Sequence, residues 1–241
     1  MPRGYPDYGI REIFGASIGA IDLTELAARL WSINTFDRRG EVVLMDDFES
    51  PVIGWAIAPL SSGTAIYDST AFRSGSQSLL VTTAAVLDDY VELFKSIPVH
   101  NLGKIGIEWS FSPQDKDMKV VIRLDLYDGT TYYAALIEVY ANTGLCRLFN
   151  ENSAYVDIAT VGRLVASTHA FHTIKMVIDT DSKVYYRFVI NNIEVDISTY
   201  PLYNTVSTSD KRLVIDMRVY TEEAQANQCF LDDMILTKNE P

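Results

Sequence analysis

Residues 118–140 read MKVVIRLDLYDGTTYYAALIEVY, and this stretch decides the fold class. Val120, Ile122, Leu124 and Leu126 alternate with more polar neighbours, a period of two that belongs to a strand. Asp128-Gly129 at its centre is the strongest short hairpin signal. With these two as the loop, Tyr127 is expected to pair with Thr130. Val120, Ile122, Leu124 and Leu126 then share a core face with Thr131, Tyr133, Ala135 and Ile137. Val121, Arg123, Asp125 and Tyr127 lie opposite, with Tyr132, Ala134, Leu136 and Glu138. Both strands agree in one register, and a slip of one residue would exchange the faces.

The same design recurs outward from this hairpin. Leu213, Ile215, Met217 and Val219 alternate with Val214, Asp216, Arg218 and Tyr220, and Ile107, Trp109 and Phe111 with Glu108 and Ser110. Candidate strands are 41–48, 64–68, 78–83, 90–97, 104–111, 118–127, 130–140, 145–150, 155–159, 173–179, 183–190, 193–197, 211–220 and 229–237. Further hairpins are expected at Thr180-Asp181-Ser182 and at Asn191-Asn192. Many short strands with frequent turns predict an all-β sandwich or barrel over residues 41–241.

Residues 1–40 differ. Asp22-Leu23-Thr24-Glu25 resembles a capping box, so one short helix is expected after it. Its apolar face carries Leu23, Leu26, Ala27 and Leu30 and ends at Trp31. A helix of about ten residues is marginal alone in water. This N-terminal arm is therefore expected to dock, on its own sandwich or on a neighbouring subunit, through Leu23, Leu26, Leu30 and Trp31.

Among 241 residues, 20 are basic and 32 acidic, a net charge of −12. Such a chain repels phosphate backbones and anionic membranes, which argues against nucleic-acid and membrane partners. No run of about 18 apolar residues suggests a membrane helix, and the start lacks the apolar run of a secretory signal. Cys146 and Cys229 sit in apolar strand-like runs and are expected to be buried free thiols, although two cysteines leave a disulfide open.

Three stretches resemble the concanavalin A-like jelly-roll superfamily and its carbohydrate-binding-module relatives. They are Asp46-Asp47-Phe48-Glu49-Ser50 with Trp55 and Phe72-Arg73-Ser74-Gly75-Ser76-Gln77-Ser78-Leu79; Phe171-His172-Thr173-Ile174-Lys175 with Asn191-Asn192; and Phe230-Leu231-Asp232-Asp233-Met234-Ile235-Leu236. Phe171 and Asn192 depart from the Trp and Gly of the second pattern. The resemblance implies a two-sheet antiparallel jelly-roll β-sandwich. It also implies a structural Ca²⁺ between the first and last strands, for which Asp47, Glu49 and Asp232 are the matching carboxylates. In its Tyr5-Pro6-Asp7-Tyr8 start and its Asn239-Glu240-Pro241 end, the chain also resembles phage virion proteins that carry such a sandwich.

The glucanases of that superfamily use a Glu-x-Asp-x-Glu strand. Glu194-Val195-Asp196-Ile197-Ser198 comes nearest, but Ser198 cannot act as the acid. His100, His169 and His172 form no zinc or triad spacing. No complete catalytic set is present, so the protein is expected not to be an enzyme. The richer constellation is polar: Arg123, Asp125, Tyr127, Tyr132, Glu138, Asp216, Arg218 and Tyr220 would project together if the two strand groups share a sheet. That composition suits a glycan, a protein interface or a solvent face laced with ion pairs.

The expected function is a non-catalytic structural or adhesive protein. It would be a capsid-decorating or other virion component of a phage-like particle, assembling through its arm with itself or another subunit as a homo-oligomer. A carbohydrate-binding module or adhesin, outside the cell, is the alternative; a glycan hydrolase or lyase is a third.

Overall fold

The computed structural model describes residues 37, 39–98 and 103–241. The chain divides into two compact units, Met1–Arg38 and Arg39–Pro241. The expected helix and the docking residues Leu23, Leu26, Leu30 and Trp31 lie outside the described residues, as does His100.

The second unit is all β, with no helix among its described residues. Its strands are β1 (Glu41–Asp46), β2 (Ala56–Pro59), β3 (Thr64–Asp68), β4 (Ser78–Thr82), β5 (Tyr90–Ile97), β6 (Lys104–Pro113), β7 (Met118–Tyr127) and β8 (Thr131–Tyr140). There follow β9 (Leu145–Phe149), β10 (Tyr155–Thr160), β11 (His172–Asp179), β12 (Val184–Ile190), β13 (Ile193–Asp196), β14 (Tyr203–Val206), β15 (Arg212–Thr221) and β16 (Gln228–Lys238). They form two antiparallel sheets. The first runs β13-β12-β11-β6-β16-β4-β3, with β1 also on β16; the second runs β10-β9-β8-β7-β15-β5-β2, with β14 also on β8. This is the expected two-sheet sandwich.

Alternation explains which side chains meet between the sheets. Val120, Ile122, Leu124 and Leu126 are buried from one sheet, and Ile105, Ile107, Trp109 and Phe111 from the other. Trp109 is fully buried and packs against Trp55 and Phe48, with ring centroids 5.0 and 6.0 Å away. Burying such side chains stabilises the fold by about 1.5–3 kcal/mol each. Cys146 and Cys229 are buried free thiols on opposite sheets, and burial pushes the Cys146 thiol up to about 12.

The central hairpin differs from its expected register. Tyr127 pairs with Tyr132, not Thr130, and Val120 with Val139. The Asp128 carboxylate accepts the amides of Thr130 and Thr131 at 2.8 and 2.7 Å, and the Asp128 amide bonds the Thr131 carbonyl. The turn is therefore centred one residue later, on Gly129-Thr130, and Gly129 takes the positive φ of 95°. The pairing moves by two residues, an even number, so every side chain keeps its expected face.

Candidate functional site

The outward face of the second sheet gathers the polar residues. Strands β7 and β15 are neighbours, and Asp216 pairs with Arg123 across the ladder. Sequence alone left that adjacency open, since the two strands lie far apart in the chain. Arg123, Asp125, Tyr127, Asp216, Arg218 and Tyr220 therefore share one surface, joined from β8 by Tyr132 and Glu138. All eight residues expected on one face stand on it.

The centre of the face is a web of charge-assisted bonds. Arg123 Nε meets Asp125 Oδ1 at 2.8 Å and one Nη donates to the Tyr132 hydroxyl at 2.6 Å. That hydroxyl donates to Asp125 Oδ1 at 2.9 Å. Arg218 meets Asp216 and Glu92, each at 2.9 Å. Arg147 and Lys119 hold Glu138 at 2.7 and 3.0 Å. Burial works against both Arg123 and Arg218, but their carboxylate neighbours outweigh it and hold each guanidinium more firmly charged. Burial and then Asp125 push the Tyr132 phenol up. Asp216 is 1 % exposed, and burial followed by its contact with Glu92 pushes its carboxyl well above the usual range. Its Oδ1 receives no hydrogen bond among the described residues.

Rings border this centre. Seven of the 14 tyrosines lie on the face: Tyr90, Tyr127, Tyr132, Tyr140, Tyr155, Tyr203 and Tyr220. Along one side Tyr127, Tyr132, Tyr203, Phe149 and Tyr155 follow one another with centroids 5.0, 6.4, 5.4 and 5.2 Å apart. On the other, Tyr90 packs on Tyr220 at 4.8 Å, and Lys119 lies over both Tyr220 and Tyr140. Rings set side by side on a sheet face stabilise the strand pairs they join and can also stack planar or ring-shaped ligands. Glu92 and Tyr203 reach the face only through long-range pairing, and Arg147 and Phe149 through the pairing of β9 with β8, whereas Lys119 shares the parity of Arg123 on β7 and was missed.

The acids implied as Ca²⁺ ligands do other work. Strand β16 pairs with β4 through Gln228–Leu231 and with β1 from Met234 onward, so its ladder changes partner at Asp232-Asp233. A bulge there leaves amides to satisfy. Asp232 accepts the amides of Arg73 and Ser74 at 2.7 and 3.2 Å and that of Asp233 at 2.9 Å. Glu49 accepts the Ser76 amide and hydroxyl, both at 2.7 Å, and the Gln77 amide at 3.0 Å. Asp47 caps the amide of Glu49 at 3.2 Å. These donors take up acceptor sites that a Ca²⁺, which takes six to eight oxygens, would use. No group of three or more His, Cys, Asp or Glu able to hold a metal occurs among the described residues.

Glu194 and Asp196 line a cavity of ≈ 550 Å³ with Arg39, Tyr186, Arg187, Ser198 and Pro241. Glu194 pairs with Arg39 at 2.5 Å, and Asp196 accepts the Ser198 amide at 2.9 Å. His172 is structural: its ring nitrogens bond the Val165 carbonyl and the Asn191 amide, both at 3.2 Å.

No protein-family model matches the sequence, and no curated protein matches it. Solved structures do resemble the fold. An endo-β-1,4-glucuronan lyase from the fungus Trichoderma reesei is 14% identical with a TM-score of 0.55, over 83% of this chain and 96% of that one. A conserved carbohydrate esterase from the Shiga toxin-encoding bacteriophage phi24B is 15% identical, TM-score 0.53, over 83% and 100%. A Bacillus subtilis protein with a galectin-like fold is 14% identical, TM-score 0.53, over 83% and 97%. The chain folds as a concanavalin A-like jelly roll. In this jelly roll, the ring-bordered polar face occupies the middle of one sheet, where strands fixed on both sides hold its side chains in place.

Proposed function

We propose that the outward face of the second sheet binds a carbohydrate chain, as the working surface of a non-catalytic structural or adhesive protein. One observation carries the reading: seven tyrosines border a centre of arginines and acids on a single sheet face. Rings provide flat apolar platforms, while guanidinium groups donate hydrogen bonds to hydroxyls and carboxylates accept them. The fungal lyase and the phage esterase of similar fold are both carbohydrate enzymes by name, which supports a glycan over a protein partner. A glycan array tests the proposal. Wild-type protein is expected to bind a defined set of glycans, and Tyr132→Ala or Arg123→Ala to lose them; an array without any hit contradicts it.

The finer proposal is a component of a phage-like particle, held to a neighbour through residues 1–40. Its support is the fold likeness to the bacteriophage esterase and the resemblance of the chain ends. Light scattering on full-length protein should give an oligomer that dissociates when residues 1–38 are removed; a strict monomer contradicts it.

The cavity at Glu194 and Asp196 favours a second reading, a glycan-cleaving enzyme. The Arg39 and Ser198 bonds that occupy these acids argue against it. Polysaccharide turnover that disappears in Glu194→Gln would establish it.

A further inference from the structure

We infer that the carbohydrate taken by this face is acidic, and that its carboxylate-bearing units sit at the end formed by Arg212, Tyr127, Tyr132 and Arg123. The inference rests on the glycan-binding reading above and narrows it to a substrate class.

Four arginines stand on the face, and three are matched to acids. Arg123 meets Asp125 at 2.8 Å, Arg147 meets Glu138 at 2.7 Å and Arg218 meets Asp216 at 2.9 Å. Arg212 meets no carboxylate among the described residues. Its guanidinium lies 4.3 Å from the centroid of the Tyr127 ring, directly across the β15–β7 ladder. The attraction of the ring fixes the cation and leaves its N–H donors for a planar acceptor, to which guanidinium is matched in bidentate geometry. Arg123 stands at the other end of the same pair of rings. Asp125 takes its Nε and Tyr132 one Nη, while no protein acceptor among the described residues takes the other Nη. Between the two cations, Tyr127 and Tyr132 are 5.0 Å apart and offer their rings to a sugar.

Charge makes the point sharper. The chain carries 32 acids against 20 bases, so its summed field repels a polyanion. An acidic glycan held here is therefore held by local guanidinium groups. A neutral sugar would make no use of the one arginine on the face that lacks an acid, whereas a uronate carboxylate would complete it.

Calorimetry with oligomers of polyglucuronate and polygalacturonate, set against the same oligomers with their carboxyl groups reduced to alcohols, tests the inference. The acidic oligomers are expected to bind at least about tenfold more tightly at low salt. That advantage should fall between about 0.01 and 1 M salt, as the Debye length shrinks from about 30 to 3 Å. Arg212→Ala should weaken binding of the acidic oligomers more than that of the reduced ones and so shrink the advantage. Equal binding of acidic and reduced oligomers overturns the inference while the glycan-binding reading survives, as does an advantage undiminished in Arg212→Ala. Failure of both kinds to bind removes both. The comparison of ligands needs only the wild-type chain, so a misfolded variant cannot leave the question open.

Discussion

The Tyr185 hydroxyl, rooted in one sheet, accepts the backbone amide of Leu136 in the other at 2.8 Å. It donates to the Phe149 carbonyl at 2.7 Å, with the Leu136 carbonyl at 3.2 Å as the alternative acceptor. Leu136 lies where the β8 edge passes from β14, at Thr131–Ala134, to β9, at Ile137–Val139. A forked ladder strands backbone groups in the core, and one fully buried hydroxyl crosses the sandwich to satisfy them. Tyr185→Phe removes that oxygen and nothing else. It should cost about 1–3 kcal/mol, seen as a lower urea midpoint with an unchanged slope; an unchanged midpoint would show that the fork is satisfied otherwise.

The other fork, at Asp232-Asp233, predicts a pH dependence. Burial and then the Asp233 charge push the Asp232 carboxyl up to about 8, and burial raises Asp233 as well. In the unfolded chain an aspartate titrates near about 3.9. Between about pH 4 and 8 the folded protein therefore binds more protons, and this stabilisation, full below about 4, is lost as the pH rises through 8. Asp233→Asn removes the like charge. Wild-type stability relative to that variant should fall between about pH 5 and pH 9 in denaturant melts; a constant or rising difference refutes the coupling of the two carboxyls.

Near the end of the chain, Glu240 is buried between cations. Lys175 Nζ lies 2.7 Å from its Oε1, while Arg187 and the Thr237 hydroxyl also bond it. Gly106 makes room, since a Cβ there would lie 2.9 Å from Glu240 Oε1. Removing one partner of a buried pair exposes the other charges to an apolar site, so Glu240→Ala should destabilise by about 3–5 kcal/mol. Because burial limits screening, the loss should persist in high salt; a melt within error of wild type would contradict the cluster's role.

Calcium offers a fourth check. With Asp47, Glu49 and Asp232 occupied by amides and hydroxyls, millimolar Ca²⁺ added to EDTA-treated protein should leave Tm unchanged. A clear rise would mean that the ion displaces those donors.

Strand existence was legible because alternation survives in a single sequence. The inward set from Val120 to Leu126 and the outward set from Arg123 to Tyr127 came from parity alone. Two strands escaped it. Ala56–Pro59 and Tyr203–Val206 are four-residue additions to sheet edges, too short to show a period, and the first ends in proline. The hairpin register escaped because a side chain, Asp128, captured the turn amides. The Asp232-Asp233 motif was legible as a family likeness, but its bonding to the amides of a forked ladder needed β1, β4 and β16 in place. The site was legible in part for the same reason: parity names which residues face out, and only the pairing of β15 with β5 and β7 brings Glu92 and Asp216 together.

Backbone amide shifts, followed by NMR while a glycan from the array is titrated in, test the central claim most directly. The account predicts perturbations confined to β7, β8, β15 and their ring-bearing neighbours, centred on Arg123, Tyr132 and Arg218. Perturbations centred instead on β12 and β13 around Glu194, or none at saturating glycan, would contradict it.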